Sequence, residues 1–232
     1  RRLLSFVKPG VWEYEIEAEL MHEFLRNRSK GFAYTPIIAS GENANVLHYI
    51  ANNMQCKDGD VILLDVGAEY ANYSSDLTRM IPVNGKFTAR QKEIYNAVLD
   101  MKNFATSLLV PGNNWYDYHK ECGEFYTSKF LELGLLDKAD VQNQDKNWPA
   151  YKKYMMHGTS HHLGLDTHDY GILKDKFVEN MVFTVEPGIY LPAEGFGVRI
   201  EDDLVIQNSG PAFNLMKNIP IEVEEIEELM NS

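Results

Sequence analysis

Seven histidines occur in the 232 residues, and four of them, His157, His161, His162 and His168, fall within HGTSHHLGLDTH. One imidazole in such a segment would be explained by packing or by a surface position. Four in one short stretch, interleaved with Gly158 and Gly164, point to a site. His157 and His161 have the i, i+4 spacing of a zincin helix, but no glutamate follows the first histidine and the glycines oppose a helix. The segment reads instead as an irregular strand or loop that presents imidazoles to a cavity.

Two pairs of carboxylates sharpen this reading. An antiparallel hairpin that set Asp65 opposite Asp76 would turn between Tyr70 and Ala71. One that set Glu186 opposite Glu201 would turn between Ala193 and Glu194, inside PAEGFG. Both turns fall in expected loops, so each pair is expected as cross-strand neighbours on one face. Like charges so placed repel unless a cation or a shared proton lies between them. One such pair would pass as solvated hairpin charges. Two pairs, with Asp65 in VILLDVG and Glu186 in MVFTVEPG, sit in apolar contexts, where an unpartnered carboxylate is costly.

Four carboxylates with one imidazole suit two divalent ions of hard or borderline character: Mn²⁺, Co²⁺, Fe²⁺ or Zn²⁺. A metal pair polarises a carbonyl and generates hydroxide at neutral pH, as hydrolysis of an unactivated amide requires. Hydrolysis at a dinuclear centre is the chemistry these residues suggest.

The elements that must position them are legible from periodicity. After Pro9-Gly10, the residues Trp12, Ile16, Leu20, Met21, Phe24 and Leu25 recur at helical spacing, with glutamates at 13, 15, 17 and 19 between them. The turn-rich SGENAN precedes an apolar run containing His48. VILLDVGAEY reads as a strand and SSDLTRMIPV as its partner. Thr88 and Gln91 form a capping-box pattern for a helix that ends at Val110-Pro111-Gly112. A second helix is expected from about Trp115 to Leu133, then a polar loop over residues 137–148. Short strands broken by Gly and Pro follow Met155, and the acidic EVEEIEELM closes as a helix with a solvated face. His22 and His119 fall on helices and are read as surface residues. One α+β domain, 1–232, is the simplest organisation.

Composition excludes other classes. With 22 Lys+Arg against 34 Asp+Glu the formal charge is −12, and no basic patch is present, so no nucleic acid is expected as a partner. No apolar stretch approaches the roughly 18 residues of a membrane helix, so no membrane association is expected. The two cysteines, Cys56 and Cys122, form no CxxC pair, which fits a reducing compartment and a cytoplasmic location. With arginine at position 1, a fragment of a longer protein is expected.

LLDVGAEYANYSSDLTRMIPVNGKFT, HGTSHHLGLDTHD, TVEPGIY and VRIEDDLVI closely resemble the catalytic domain of the aminopeptidase P family, pita-bread metallopeptidases. The resemblance covers nearly the whole chain. It implies a curved antiparallel sheet flanked by helices with pseudo-two-fold symmetry, without the N-terminal domain of full-length relatives. It places metal ligands at Asp65, Asp76, His161, Glu186 and Glu201, with Asp76 and Glu201 as bridges. Asp65 would complete one site, and His161 and Glu186 the other. The ions would be two divalent metals, Mn²⁺ foremost, with Co²⁺, Zn²⁺ or Fe²⁺ as alternatives. A hydroxide between them would attack the scissile carbonyl, with Glu186 accepting the proton. His48 would assist at the substrate carbonyl, and His157 and His168 would line the site and position substrate. Arg199, two residues from Glu201 on one strand face, is expected to orient that carboxylate.

The implied activity is release of the N-terminal residue from peptides with proline in second position, and the implied full-length state is a homo-oligomer. A prolidase, cleaving Xaa-Pro dipeptides with the same ligands, is the alternative within the class. Methionine aminopeptidase fits the sequence after the second-half histidine less well. A non-catalytic pita-bread binding protein would be expected to lack several ligands, and all five are here.

Overall fold

The computed structural model describes residues 1–232. The chain opens with α1 (Arg2–Phe6), which periodicity did not indicate, and α2 (Glu13–Arg26). Six strands follow: β1 (Gly31–Phe32), β2 (Ile37–Ser40), β3 (Val61–Asp65), β4 (Ala68–Tyr70), β5 (Tyr73–Ser74) and β6 (Thr78–Pro82). Two long helices come next. In α3 (Ala89–Ser107) the expected capping box forms, with the Thr88 hydroxyl accepting from the Gln91 N–H at 3.2 Å and Gln91 Oε1 accepting from the Thr88 N–H at 2.8 Å. In α4 (Trp115–Glu132) the Asn114 side chain accepts from the Tyr116 and Asp117 N–H groups. The polar segment expected as loop holds a one-turn helix, α5 (Lys138–Gln142), because Asp137 caps it through the Asp140 N–H at 2.8 Å. The second half adds β7 (Val182–Val185), β8 (Gly188–Leu191), β9 (Phe196–Arg199), β10 (Asp202–Val205) and β11 (Phe213–Asn214). The acidic α6 (Val223–Met230) buries only Val223 and Ile226 and leaves most of its glutamates on the outer face.

All ladders are antiparallel. Three-stranded sheets run β2-β3-β6, β1-β4-β5 and β11-β10-β7, and β8 pairs with β9. The α+β class expected from the sequence is what forms. The first hairpin departs from its expected register. Tyr70 opposes Tyr73, so the turn is Ala71-Asn72, both at positive φ (53° and 70°), and Asp65 faces Thr78 rather than Asp76. The two-residue turn needs positive φ at both corners, and Asn tolerates that region, so the turn settles one residue beyond the expected centre. The pairing therefore slips by two residues. Because side chains alternate with period two, Asp76 stays on the Asp65 face as a diagonal neighbour. Gly67 sits between them, where a Cβ would lie 1.8 Å from the Ser75 carbonyl oxygen. In the second half, Val185 opposes Asp202 and Gly188 opposes Arg199, which continues one register through both ladders and sets Glu186 opposite Glu201 as expected.

The two halves are stitched together at β6 and β10. The Glu201 N–H donates to the Thr78 carbonyl at 3.1 Å, and the Asp76 N–H donates to Asp203 Oδ2 at 3.1 Å. On the face away from the cavity, Arg79 donates to Asp202 Oδ1 at 2.6 Å, to the Glu201 carbonyl at 2.6 Å and to the Pro220 carbonyl at 3.0 Å. Lys102, from α3, pairs with the other Asp202 oxygen, which also accepts from Asn214 at 2.8 Å. All three charged side chains are buried. A single apolar cluster running from Leu3 to Ile226 surrounds this network.

Removing the shared anion would strand two buried cations. We expect Asp202→Ala to cost about 3–5 kcal/mol of folding stability. Lys92→Ala, which removes the half-exposed pair to Glu227, should cost about 1 kcal/mol or less. Denaturant unfolding of both variants checks this, and similar losses would contradict it.

Candidate metal centre

All four carboxylates singled out by the sequence sit where the ladders break. Asp65 ends β3, Asp76 precedes β6, Glu186 lies between β7 and β8, and Glu201 lies between β9 and β10. They line one cavity of about 620 Å³ together with His48, His157, His161, His168 and Arg199. Ligand atoms of Asp76, His161 and Glu201 lie within 4.8 Å of one another. His161 Nε2 is 3.4 Å from Asp76 Oδ2 and 3.6 Å from Glu186 Oε1. Its Nδ1 lies 2.9 Å from the His162 carbonyl, so the Nδ1–H donates there and Nε2 points at the carboxylates. Burial works against a charged imidazole, but the Asp76 contact and the Glu186 charge outweigh it and hold His161 above its ordinary value. With Nδ1 engaged by the backbone, Nε2 is the nitrogen presented for a metal ion.

His161 and His162 point to opposite sides, as neighbours in an extended segment must. His162 pairs with Phe183 in an isolated bridge, and its ring packs 4.4 Å from Phe183 and 5.6 Å from Trp115. Gly171 lies against it, where a Cβ would be 1.9 Å from His162 Cδ2. His157 lies at the inner wall. Its Nδ1–H donates to the Gly158 carbonyl at 2.8 Å, and its Nε2 accepts from the Tyr190 hydroxyl at 2.7 Å. His168 is exposed at the mouth, with its ring 4.2 Å from that of His161. His22 is exposed as expected, but His119 is half-buried, stacked 5.1 Å from Trp115 with Nδ1 on the Trp115 carbonyl at 2.9 Å.

Arg199 does not hold Glu201 directly. Its Nη2 donates to Asp65 Oδ2 at 2.6 Å and its Nη1 to the Tyr190 hydroxyl at 2.9 Å. Its Nε reaches the Thr78 hydroxyl at 3.3 Å, and Thr78 in turn donates to Glu201 Oε2 at 2.7 Å. Same-strand spacing places the guanidinium on the right face, but the slipped first hairpin brings Asp65 and Thr78 to it before Glu201. Three site residues carried no local signal: Tyr34, Thr78 and Tyr190. The Tyr34 hydroxyl lies 2.5 Å from both Asp65 Oδ1 and Asp76 Oδ1. A phenol carries one proton, so the Tyr34 hydroxyl can donate to only one of these two oxygens. Tyr34 precedes β2 with no pattern around it, and only the pairing of β2 with β3 brings it here.

Burial is the main cause of the electrostatic strain. It raises Asp65 and Glu201 above the ordinary carboxylate range, with neighbouring carboxylates adding to the effect. It pushes Glu186 up to about 7 and Asp203 to about 8. His157 falls to about 3, through burial and then the Arg199 charge. One guanidinium and the His161 imidazole, which the carboxylates raise above its ordinary value, therefore face four crowded carboxylates and a phenol with one proton for two acceptors. This donor set fits divalent cations, which would supply the missing positive charge.

Such a donor set, on antiparallel strands around an open cavity, defines a site of the metallopeptidase class. The family model of metallopeptidase family M24 matches residues 1–208, and the chain belongs to that family. It is 42% identical over 242 aligned positions to the Xaa-Pro aminopeptidase of Haemophilus influenzae, covering 99% of this chain and 56% of that protein. It is 35% identical over 277 positions to the Xaa-Pro dipeptidase of Mus musculus, covering 99% of this chain and 55% of that one. Zinc-substituted Escherichia coli aminopeptidase P in complex with product superposes with a TM-score of 0.91 at 39% identity, over 99% of this chain and 54% of that chain. The fold is thus the pita-bread fold, as the resemblance implied. The chain spans about half the length of these relatives.

The raised carboxylates predict a pH dependence of the metal-free chain. A carboxyl whose folded-state pKa lies above its unfolded value contributes stability that is lost as pH rises through the folded value. His157 works in the opposite sense, but its contribution is complete once pH exceeds the ordinary imidazole value of 6.5. Between about pH 6.5 and about pH 8.5, Glu186 and Asp203, with His161 and Glu201 shifted in the same upward direction, should therefore make stability fall as pH rises. The chelator-treated chain should lose roughly 2–4 °C in melting temperature for each kcal/mol given up over that window. Saturating Mn²⁺ should flatten the fall. A melting temperature that rises with pH in chelator would contradict the assignment.

Proposed function

We propose that the chain is the catalytic part of a metal-dependent aminopeptidase that releases the N-terminal residue from peptides with proline in second position. The observation that carries the reading is the convergence of Asp65, Asp76, His161, Glu186 and Glu201 on one cavity, with His161 Nε2 pointing at the carboxylates. Those five residues would hold two divalent metals, Mn²⁺ being the ion we assign. When bound, such ions polarise a peptide carbonyl and bring the ionisation of water into the neutral range.

The chain's own residues do the rest. Arg199 and Tyr34 hold the two Asp65 oxygens, and Thr78 holds Glu201, so both carboxylates are fixed in orientation. Glu186 alone among the four has no hydroxyl, guanidinium or amide donor on its carboxylate, and its neighbours there are the His157 and His161 rings. That freedom suits it to accept the proton of the attacking water. His157, kept neutral and oriented by Tyr190, lines the wall beside it. His48 and His168 face the cavity from two different loops, where they can hold the substrate carbonyl and chain.

The aminopeptidase reading is favoured over prolidase by the Haemophilus influenzae relative, which shares 42% identity against 35% for the mouse dipeptidase. With Mn²⁺, an Xaa-Pro-Xaa tripeptide should lose its first residue, the Xaa-Pro dipeptide should be spared, and a chelator should abolish turnover. Cleavage of the dipeptide in preference would make the protein a prolidase. Asp76→Ala and Glu201→Ala should each lower kcat/KM by more than about 100-fold, since losing a ligand should exceed the effect of losing an outer partner. Near-native turnover in both variants would remove the two-metal assignment. His161→Ala should lower metal stoichiometry, as titration calorimetry would read.

A further inference from the structure

Glu13 stands in the row of α2 glutamates that helical periodicity assigns to a polar face, yet its side chain is completely buried. Four donors converge on it. Oε1 accepts from the Ser40 N–H at 2.8 Å and from Asn43 Nδ2 at 3.1 Å. Oε2 accepts from the Tyr49 hydroxyl at 2.7 Å and from the Met54 N–H at 2.9 Å. All four partners are neutral, and all come from residues 40–54, the segment that carries His48 into the cavity. One turn along the helix, Glu17 Oε2 accepts from Asn52 Nδ2 at 2.9 Å, and Asn52 is held in the left-handed region at φ 44°. From Val46 to Met54 no strand or helix holds this segment, so side chains must do what a ladder does elsewhere.

We propose that Glu13 is a positioning residue for His48. Tyr49 is the lever: its side chain points inward to the Glu13 carboxylate while its neighbour His48 faces the cavity. Burial and the Glu13 hydrogen bond push the Tyr49 phenol up to about 12, so it remains a donor throughout the neutral range. Each carboxylate oxygen takes one backbone N–H, from Ser40 on one side and Met54 on the other. A glutamine amide would have to turn its NH₂ against one of them, so Glu13→Gln keeps the volume and breaks the tether. None of the five proposed metal ligands touches Glu13, so metal binding should be indifferent to the change.

The test has two arms. The first is amide hydrogen exchange of the Mn²⁺-loaded chain in Glu13→Gln and in the milder Tyr49→Phe, which deletes one donor and leaves the carboxylate. Exchange should quicken over residues 43–50 in both variants while the strands of the metal centre keep their protection and Mn²⁺ stoichiometry is unchanged. The second arm, which rests on the peptidase reading, is a double-mutant cycle with His48→Ala on an Xaa-Pro-Xaa peptide. Glu13→Gln should lower kcat/KM by roughly 10- to 100-fold in the wild-type background, as expected for a misplaced group, and by much less once His48 is gone. Unchanged exchange over residues 43–50 in both variants, or losses that multiply independently in the cycle, would overturn the proposal. A wild-type chain without turnover would count against the peptidase reading alone, and the exchange arm would then decide the tether by itself.

Discussion

Repulsion among four crowded carboxylates governs the structure around the cavity. Each of Asp65, Asp76, Glu186 and Glu201 would be easier to fold with the others absent, and burial raises Asp65, Glu186 and Glu201 above their usual range. The fold contains the repulsion by alternation. Thr78 and Glu201 turn toward the cavity, while the next residues along, Arg79 and Asp202, turn away and join β6 to β10 through a buried ion pair. The Arg79 guanidinium also takes the carbonyl oxygens of Thr78 and Glu201, so the backbone behind the carboxylates is clamped from outside the site. Lys102 completes the charge balance of Asp202 from α3, which ties the helix layer to the same point. Charge that is repulsive on one face is thus held in place by charge that is attractive on the other.

This alternation explains why the site could be read from residues so far apart in sequence. The curved sheet and the choice of His161 rest on the family resemblance. The two carboxylate pairs, the histidine cluster, the two long helices and the Thr88 cap follow from local patterns, and local patterns survive small errors of register. Asp65 does not face Asp76, yet a slip of two residues leaves both on one surface, so the inferred pair stands although the inferred opposition does not. The partner of Arg199 was harder. Strand spacing gives the face of a side chain but not which residue of another hairpin meets it, and here Asp65 and Tyr190 meet it first. Tyr34 and Tyr190 were invisible for the same reason, since each is placed by pairing between strands rather than by any pattern of its own.

Glu13 marks the limit of periodicity from the other side. Charged residues recurring along a helix are ordinarily its wet face, and nothing in the pattern distinguishes Glu13 from Glu15 or Glu19. What distinguishes it is the return of residues 40–54 across the start of α2, a long-range event. A buried carboxylate without a cation is tolerable only when hydrogen bonds saturate it, and four donors with two on each oxygen do so. The metal-ligand candidates flank strands whose ladders fix them for other reasons. His48 has no such support, and a loop that must deliver an imidazole to a fixed place needs a constraint of comparable strength. Saturating one buried charge with donors from the loop itself supplies it, because any loop conformation that releases a donor leaves that charge underbonded in a dry interior.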